Sequence, residues 1–262
     1  MATLAETMAS AENNIVSMRE FVDVENTMFF CRIELQGPPL PPGIISRLKT
    51  LLPYGARVTY NPTRIKRTVI LVTKEHHCLA DLLIRNHFAT LPIQLMAVVG
   101  NHPHLGDIAG RFDIPFHFIT HEGKSKAEFE NEVSGQVTHY QPDLLVLAKF
   151  MRILSPSFVA RFPLRMVNIH HSFLPAFIGA SPYRQAYERG VKLIGATAHY
   201  VTNDLDEGPI ISQQIIEVNH SYTASDMAKA GKEVEQAVLA RALRLVAEDR
   251  VLVWGNKTVV FE

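Results

Sequence analysis

The stretch "VNIHHSFLP", residues 167–175, sets an amide and an imidazole two positions apart at the end of an apolar run. Residues two apart on a strand share a face, so Asn168 and His170 project together while Val167 and Ile169 project oppositely. An amide N–H can hold an oxygen that is gaining negative charge, and an imidazole can take and return a proton near neutral pH. Side by side, the two suit attack on a carbonyl: Asn168 steadies the oxyanion and His170 moves protons. The same alternation sends His171 away from that face, either across the strand or into the turn that starts at Ser172, where a hydrogen-bonded structural role is expected, with support of the neighbouring site as the other reading.

Asp206, in "NDLDEGP", is the candidate third member. A carboxylate beside an imidazole orients the ring, raises its pKa and helps to hold a water. On spacing alone, however, Asp-x-Gly reads first as a turn. Histidines are numerous (His76, His77, His102, His104, His170, His171 and His199), yet none shows the i, i+4 spacing with Glu that builds a zinc site. Adjacent imidazoles should diverge in regular structure. No metal is expected.

Something must place these groups at one edge. From residue 68 the chain alternates strand-like and helix-like segments, the pattern of a parallel α/β sheet. "TVILVT" is a β-branched run of the kind buried on both faces. "IQLMAVVGN", "PFHFI", "LLVLAKF", "RMVNIH", "IGATAHYVT" and "IISQQIIEV" follow as strands, with helices between most of them. "SPYRQAYERG" reads as a helix closed by Gly190, and residues 221–249 as a long amphipathic helix capped by Thr223 and Asp226. Such sheets bind ligands at the carboxyl ends of their strands, where His170 falls. "VLVWGNKTVVF" closes the chain as a hairpin.

Residues 1–61 have a different grammar, αββαβ: the helix "ATLAETMASAEN", strands "IVSMREFV" and "TMFFCRIEL", the helix "IISRLKTLLP" and the strand "ARVTY". This is a ferredoxin-like βαββαβ unit without its first strand. Residues 62–67 are read as a linker and 68–262 as the catalytic domain. The expected fold is therefore α/β, a Rossmann-like, mostly parallel sheet preceded by a small ferredoxin-like α+β domain.

Composition narrows the partners. Lys plus Arg equals Asp plus Glu at 26 each, so there is no basic footprint for nucleic acid. No apolar run has the length of a membrane span. The N-terminal "MATLAETMASAENN" lacks the basic residues of a signal or transit peptide. Two cysteines without C-x-x-C spacing fit a reducing compartment, and a cytoplasmic protein is expected.

"NIHHSFLPAFIGASPYRQAYERGVKLIGATAHYVTNDLDEGPII", "LAKFMRILSPSFVARF" and "TKEHHCLADLL" closely resemble the formyltetrahydrofolate deformylases, within the wider folate-dependent formyltransferases. The resemblance spans nearly the whole chain and is densest over residues 141–212. It implies hydrolysis of 10-formyltetrahydrofolate to formate and tetrahydrofolate, with the folate as substrate and no cofactor. That activity would supply formate for purine biosynthesis and balance the one-carbon folate pools. By resemblance, Asn168, His170 and Asp206 fall on catalytic positions. Arg152, Ile153 and Leu154 match the edge of a pterin pocket, with Leu147 and Val159 as its apolar wall. Val201, Thr202, Asn203, Asp204 and Leu205 match a loop whose backbone reads the pterin ring. His199 matches a position near the same site, although strand geometry equally allows a packing residue.

The resemblance also implies an amino-acid-binding (ACT) module at the N-terminus. Its first strand and a following loop are missing here, so Met1 is read as an internal start, ahead of a partner chain that fills the gap or a module that has degenerated. Modules of this type pair, which implies a homo-oligomer. Related transformylases hold a phosphate on a glycine-rich loop after the first strand of the catalytic domain. Here that stretch, "LVTKEHHCLADLL", has no glycine and reads as a surface loop with solvated charges, which favours water as acceptor. The other readings are formyl transfer to a small amine and a non-catalytic folate- or amino-acid-binding regulator.

Overall fold

The structure, a computed structural model, describes residues 2–62, 65–176 and 182–262. It separates into an N-terminal unit reaching residue 64, joined by 259–262, and a larger unit over 65–258.

The larger unit is built on a seven-stranded sheet. Its strands are β3 (Lys66–Val72), β4 (Ile93–Gly100), β5 (Phe116–Phe118), β6 (Leu144–Leu147), β7 (Met166–His170), β8 (Leu193–Tyr200) and β9 (Ile210–Glu217), in the spatial order β5-β4-β3-β6-β7-β8-β9. The five strands from β5 to β7 run parallel, while β8 and β9 join antiparallel. The parallel pairs carry the β-branched runs: Val69, Ile70, Leu71 and Val72 of β3 are wholly buried, as a central strand covered on both faces must be.

Between the strands lie α3 (His77–His87), α4 (Gly106–Gly110), α5 (Lys126–His139), α6 (Pro156–Val159) and α7 (Pro182–Arg189). Phe129 and Val133 of α5 and Phe158 of α6 pack on Val69, Val99 and Leu145 to form the main apolar core. The long α8 (Ala224–Ala247) opens with the expected reciprocal cap, Thr223 and Asp226 each satisfying the other's backbone N–H. Gly190, at φ 70°, follows α7 where a left-handed residue is needed. Ser181, read as the first residue of that helix, lies outside the described residues. The last strands, β10 (Val251–Trp254) and β11 (Lys257–Val260), pair with each other.

Strand order runs outward from β3 through β4 to β5, then returns to β6 and proceeds to β7. The sheet thus has its switch point between β3 and β6, where open α/β sheets form a crevice. The stretch read as a linker is shorter than expected, because β3 already begins at Lys66; residues 63 and 64 are outside the description.

The N-terminal unit holds α1 (Ala2–Ser10), an antiparallel hairpin of β1 (Asn14–Asp23) and β2 (Met28–Gln36), and α2 (Ile44–Leu51). Residues 56–60, "ARVTY", form no strand, against expectation. A strand exists by pairing, and among the described residues β1 and β2 pair only with each other.

Candidate active site

β7 and β8 run antiparallel with Asn168 opposite His199 and His170 opposite Thr197. Directly opposed residues share a face, so four polar side chains line one side of the sheet at the carboxyl end of β7. Ile169 is buried on the other side. His170, Thr197 and His199 are buried and Asn168 is half-buried. Alternation therefore placed the amide–imidazole pair correctly.

His171 stands in the turn, the second of the two places open to it. β7 ends at His170 and the chain bends, so the next side chain is not carried across the strand. The His171 ring lies almost parallel to that of His170, at 18° with 5.0 Å between centroids. The expected divergence holds for His76 and His77, whose rings stand at 85°, but not here.

Asp206 arrives from the loop after β8. Its Oδ2 lies 3.2 Å from His170 Nδ1, and its Oδ1 lies 3.6 Å from His199 Nε2. Two backbone features bring it there. Asp206 itself is left-handed, φ 58°, a conformation Asp tolerates better than most residues. Gly208 lets the loop press against β8: an added Cβ would stand 1.8 Å from the Tyr200 carbonyl oxygen, whose own N–H donates to Pro209 O. The "DEG" segment is thus both a turn and the source of the carboxylate. Gly208→Ala is expected to cost ~1–3 kcal/mol in stability, as overpacking does, and to lower kcat with it. Chemical denaturation and steady-state kinetics read the two effects; an unchanged midpoint would show that the loop gives way freely.

Burial opposes the charge on Asp206, but hydrogen bonding and charge from His170, foremost among its neighbours, outweigh it and hold the carboxyl well below the usual range. An ionised carboxylate only accepts, so His170 donates to it from Nδ1. The neutral ring then carries its lone pair on Nε2, which is buried and has no hydrogen-bond partner among the described residues. His199 Nδ1 donates to Tyr200 O at 2.9 Å, and in the neutral ring Nε2 accepts from Asn168 Nδ2 at 3.2 Å. Each imidazole is fixed through one nitrogen. His170 alone keeps the other for chemistry, and Asn168 retains a second N–H. His199 is both things the sequence allowed, a buried packing residue and a neighbour of the reacting groups.

The other expected folate residues gather around the adjoining core. Leu147 and Val159 are buried members of it, and Leu154 and Val201 pack against it, partly exposed. The Arg152 guanidinium lies 5.9 Å above the Phe129 ring of the same core. Ile153 and Leu205 remain exposed, at 64% and 56%, as apolar groups on the loops after β6 and β8. Thr202 closes the second loop by donating to Asp204 O, and Asn203 and Asp204 are exposed beside it.

Several supports went unread in the sequence. Thr197 Oγ1 donates to Ser172 O and accepts from Leu174 N, while Gln213 Nε2 bonds both Thr197 Oγ1 and Leu174 O. These bonds fix the turn after His170. Thr197 lies two residues before His199 on β8, so period-2 spacing was the available signal. His77, expected on a solvated loop, is instead buried, its Nε2 2.8 Å from the buried Glu235. His77, Cys78 and Glu235 bring ligand-type atoms within 4.8 Å of one another. The Lys149 ammonium already neutralises that carboxylate from 3.1 Å, and burial pushes the Cys78 thiol far up, away from the thiolate that binds metal.

Residues 66–243 match the model of the formyl transferase family. The chain is 53% identical over 249 residues to the formyltetrahydrofolate deformylase of Escherichia coli (strain K12), covering 95% of this chain and 89% of that one. The crystal structure of a formyltetrahydrofolate deformylase from Pseudomonas syringae pv. tomato str. DC3000 superposes with a TM-score of 0.93 at 41% identity, covering all of this chain and 89% of that one. Glycinamide ribonucleotide transformylase 1 from Symbiobacterium toebii is similar at TM-score 0.74 and 28% identity, over 80% of this chain and 100% of that one. The amide, imidazole and carboxylate at the end of β7 thus sit in a chain that belongs to the formyltetrahydrofolate deformylases of the formyl transferase family.

Proposed function

We propose that this chain hydrolyses 10-formyltetrahydrofolate to formate and tetrahydrofolate, with Asn168, His170 and Asp206 as the reacting set. The observation that carries the assignment of roles is His170, held by Asp206 through Nδ1 with Nε2 unpartnered among the described residues. The formyl carbon lies between Nε2 and the Asn168 amide. As a water oxygen bonds to that carbon, Nε2 accepts the water proton and the carbonyl electron pair moves to oxygen. Asn168 donates to the oxyanion. Collapse breaks the carbon–nitrogen bond, the imidazolium returns its proton to the leaving nitrogen, and formic acid ionises to formate. Asp206 stays ionised throughout and steadies the imidazolium. No cofactor enters this sequence.

The pterin ring is held by the backbone of residues 201–205 and the segment Arg152–Leu154, over the wall of Leu147 and Val159. Water rather than an amine as acceptor is supported by the crevice between β3 and β6. The loop after β3 has no glycine to admit a phosphate, and the buried side chains of His77, Lys149 and Glu235 occupy the space behind it. The N-terminal unit is an ACT-like module in this reading, supported by its helix–hairpin–helix order. The protein works as a cytoplasmic homo-oligomer that feeds formate to purine synthesis.

Incubation with 10-formyltetrahydrofolate alone is expected to yield formate and tetrahydrofolate in equal amounts. Failure to form both without an added amine would overturn hydrolysis.

A further inference from the structure

Behind the reacting residues lies a charged cluster with no part in the steps above. Glu235, on α8, is 1% exposed and gathers groups from two other helices and the segment past β6. His77 Nε2, at the start of α3, is 2.8 Å from Oε2; Lys149 Nζ, just past β6, is 3.1 Å from the same oxygen; and Tyr183 OH, on α7, donates to Oε1 at 2.8 Å. The backbone is shaped for this. Lys149 is buried and left-handed, φ 61°. Gly231, one turn before Glu235, leaves room for the Tyr183 ring, which an added Cβ would strike at 2.1 Å.

A buried charge cluster is weak evidence for stability, since well-packed apolar groups usually do as well or better. Its position is more telling. It stands at the switch point between β3 and β6, where α/β sheets bind ligands, and it reaches the site through one side chain. The Tyr183 ring lies 6.4 Å from that of His171, which in turn lies flat against His170.

We propose that Glu235 is a positioning residue for hydrolysis: by fixing Tyr183 and Lys149 it seats His171 as the plate against which the catalytic His170 is oriented. The electrostatics agree with the geometry. Burial, with Lys149 and His170, pushes His171 down to about 4, so at neutral pH the plate is uncharged and does not repel an imidazolium. Burial opposes ionisation of Glu235, but the His77 hydrogen bond, Lys149 and Tyr183 bring it to about 2. The carboxylate therefore balances Lys149 at every working pH. The charged and titratable groups facing this region are Glu75, His77, Cys78 and Asp81 from the β3–α3 side, Lys149 past β6, Tyr183 on α7, Lys232 and Glu235 on α8, and His199 and Asp206 from the β8 side. Glu75 is itself paired with Lys232 at 2.7 Å.

The inference rests on His170 being the catalytic imidazole, so the test measures His170→Ala alongside. Glu235→Gln keeps the shape and removes the charge. In protein shown folded by circular dichroism, it is expected to lower kcat about tenfold, with KM within twofold because Glu235 touches no substrate. The acid limb of kcat/KM should move to lower pH, since an unbalanced Lys149 ammonium disfavours protonation of His170. Lys149→Met added to Glu235→Gln should restore the limb. Should Glu235→Gln not fold, Tyr183→Phe keeps the ring and deletes the bond to Oε1, and a severalfold loss of kcat at unchanged KM is expected. A folded Glu235→Gln with wild-type kcat and pH profile, or a Tyr183→Phe with wild-type kcat, overturns the proposal even if His170→Ala is inactive. An active His170→Ala overturns the site assignment and this inference with it.

Discussion

His170→Ala is expected to lower kcat on 10-formyltetrahydrofolate by roughly 10²–10⁴, the worth of one well-placed acid–base group, with KM changed little. The size follows from the double duty of Nε2, which takes the proton from water and returns it to nitrogen. Neither neighbour can replace it. The His171 ring is held down to about 4 and is tied to the plate position, and His199 has both nitrogens engaged. Asp206 is ionised far below assay pH, so it is too weak a base to accept the water proton efficiently. For the same reason the acid limb of the wild-type profile should not be that of Asp206. Retention of more than about a tenth of wild-type activity would remove His170 from the mechanism, because it lies well inside the expected loss.

How much of this was legible in the sequence can be judged residue by residue. Period 2 was enough for Asn168 and His170, because β7 is regular up to His170, but it could not orient His171, one residue later, where regularity stops. Asp206 was legible only as a turn, since its approach to His170 depends on a left-handed residue and on Gly208 lying against Tyr200 O, both long-range facts. Resemblance, not spacing, singled it out. The strand at 56–60 was a sound local reading that needed a neighbour. Glu235 carried a signal that went unused. It stands four residues after Gly231 and four before Leu239, both buried, so the charge interrupts the apolar stripe of α8. A lone carboxylate on such a stripe points to buried donors. Their identity, on α3, α7 and the segment past β6, could come only from the fold.

The division of labour on the shared face of β7 and β8 is tested by Asn168. Asn168→Ala is expected to lower kcat by roughly 10²–10³, the loss that follows removal of one oxyanion donor. It should also destabilise the fold by ~1–3 kcal/mol, because His199 Nε2, buried, loses the amide that donates to it. Taken alone, that variant confuses the two effects. Asn168→Asp separates them. A carboxylate can pair with a protonated His199, so the fold should be held at least as well as in the Ala variant, with a midpoint that rises as pH falls through the titration of the imidazole. Yet a negative oxygen facing the developing oxyanion repels it, so kcat should be no higher than in Asn168→Ala. Stability recovered with rate still lost means that the amide acts on the substrate oxygen. If rate recovered together with stability, Asn168 would be serving His199, and the oxyanion would have to be held elsewhere.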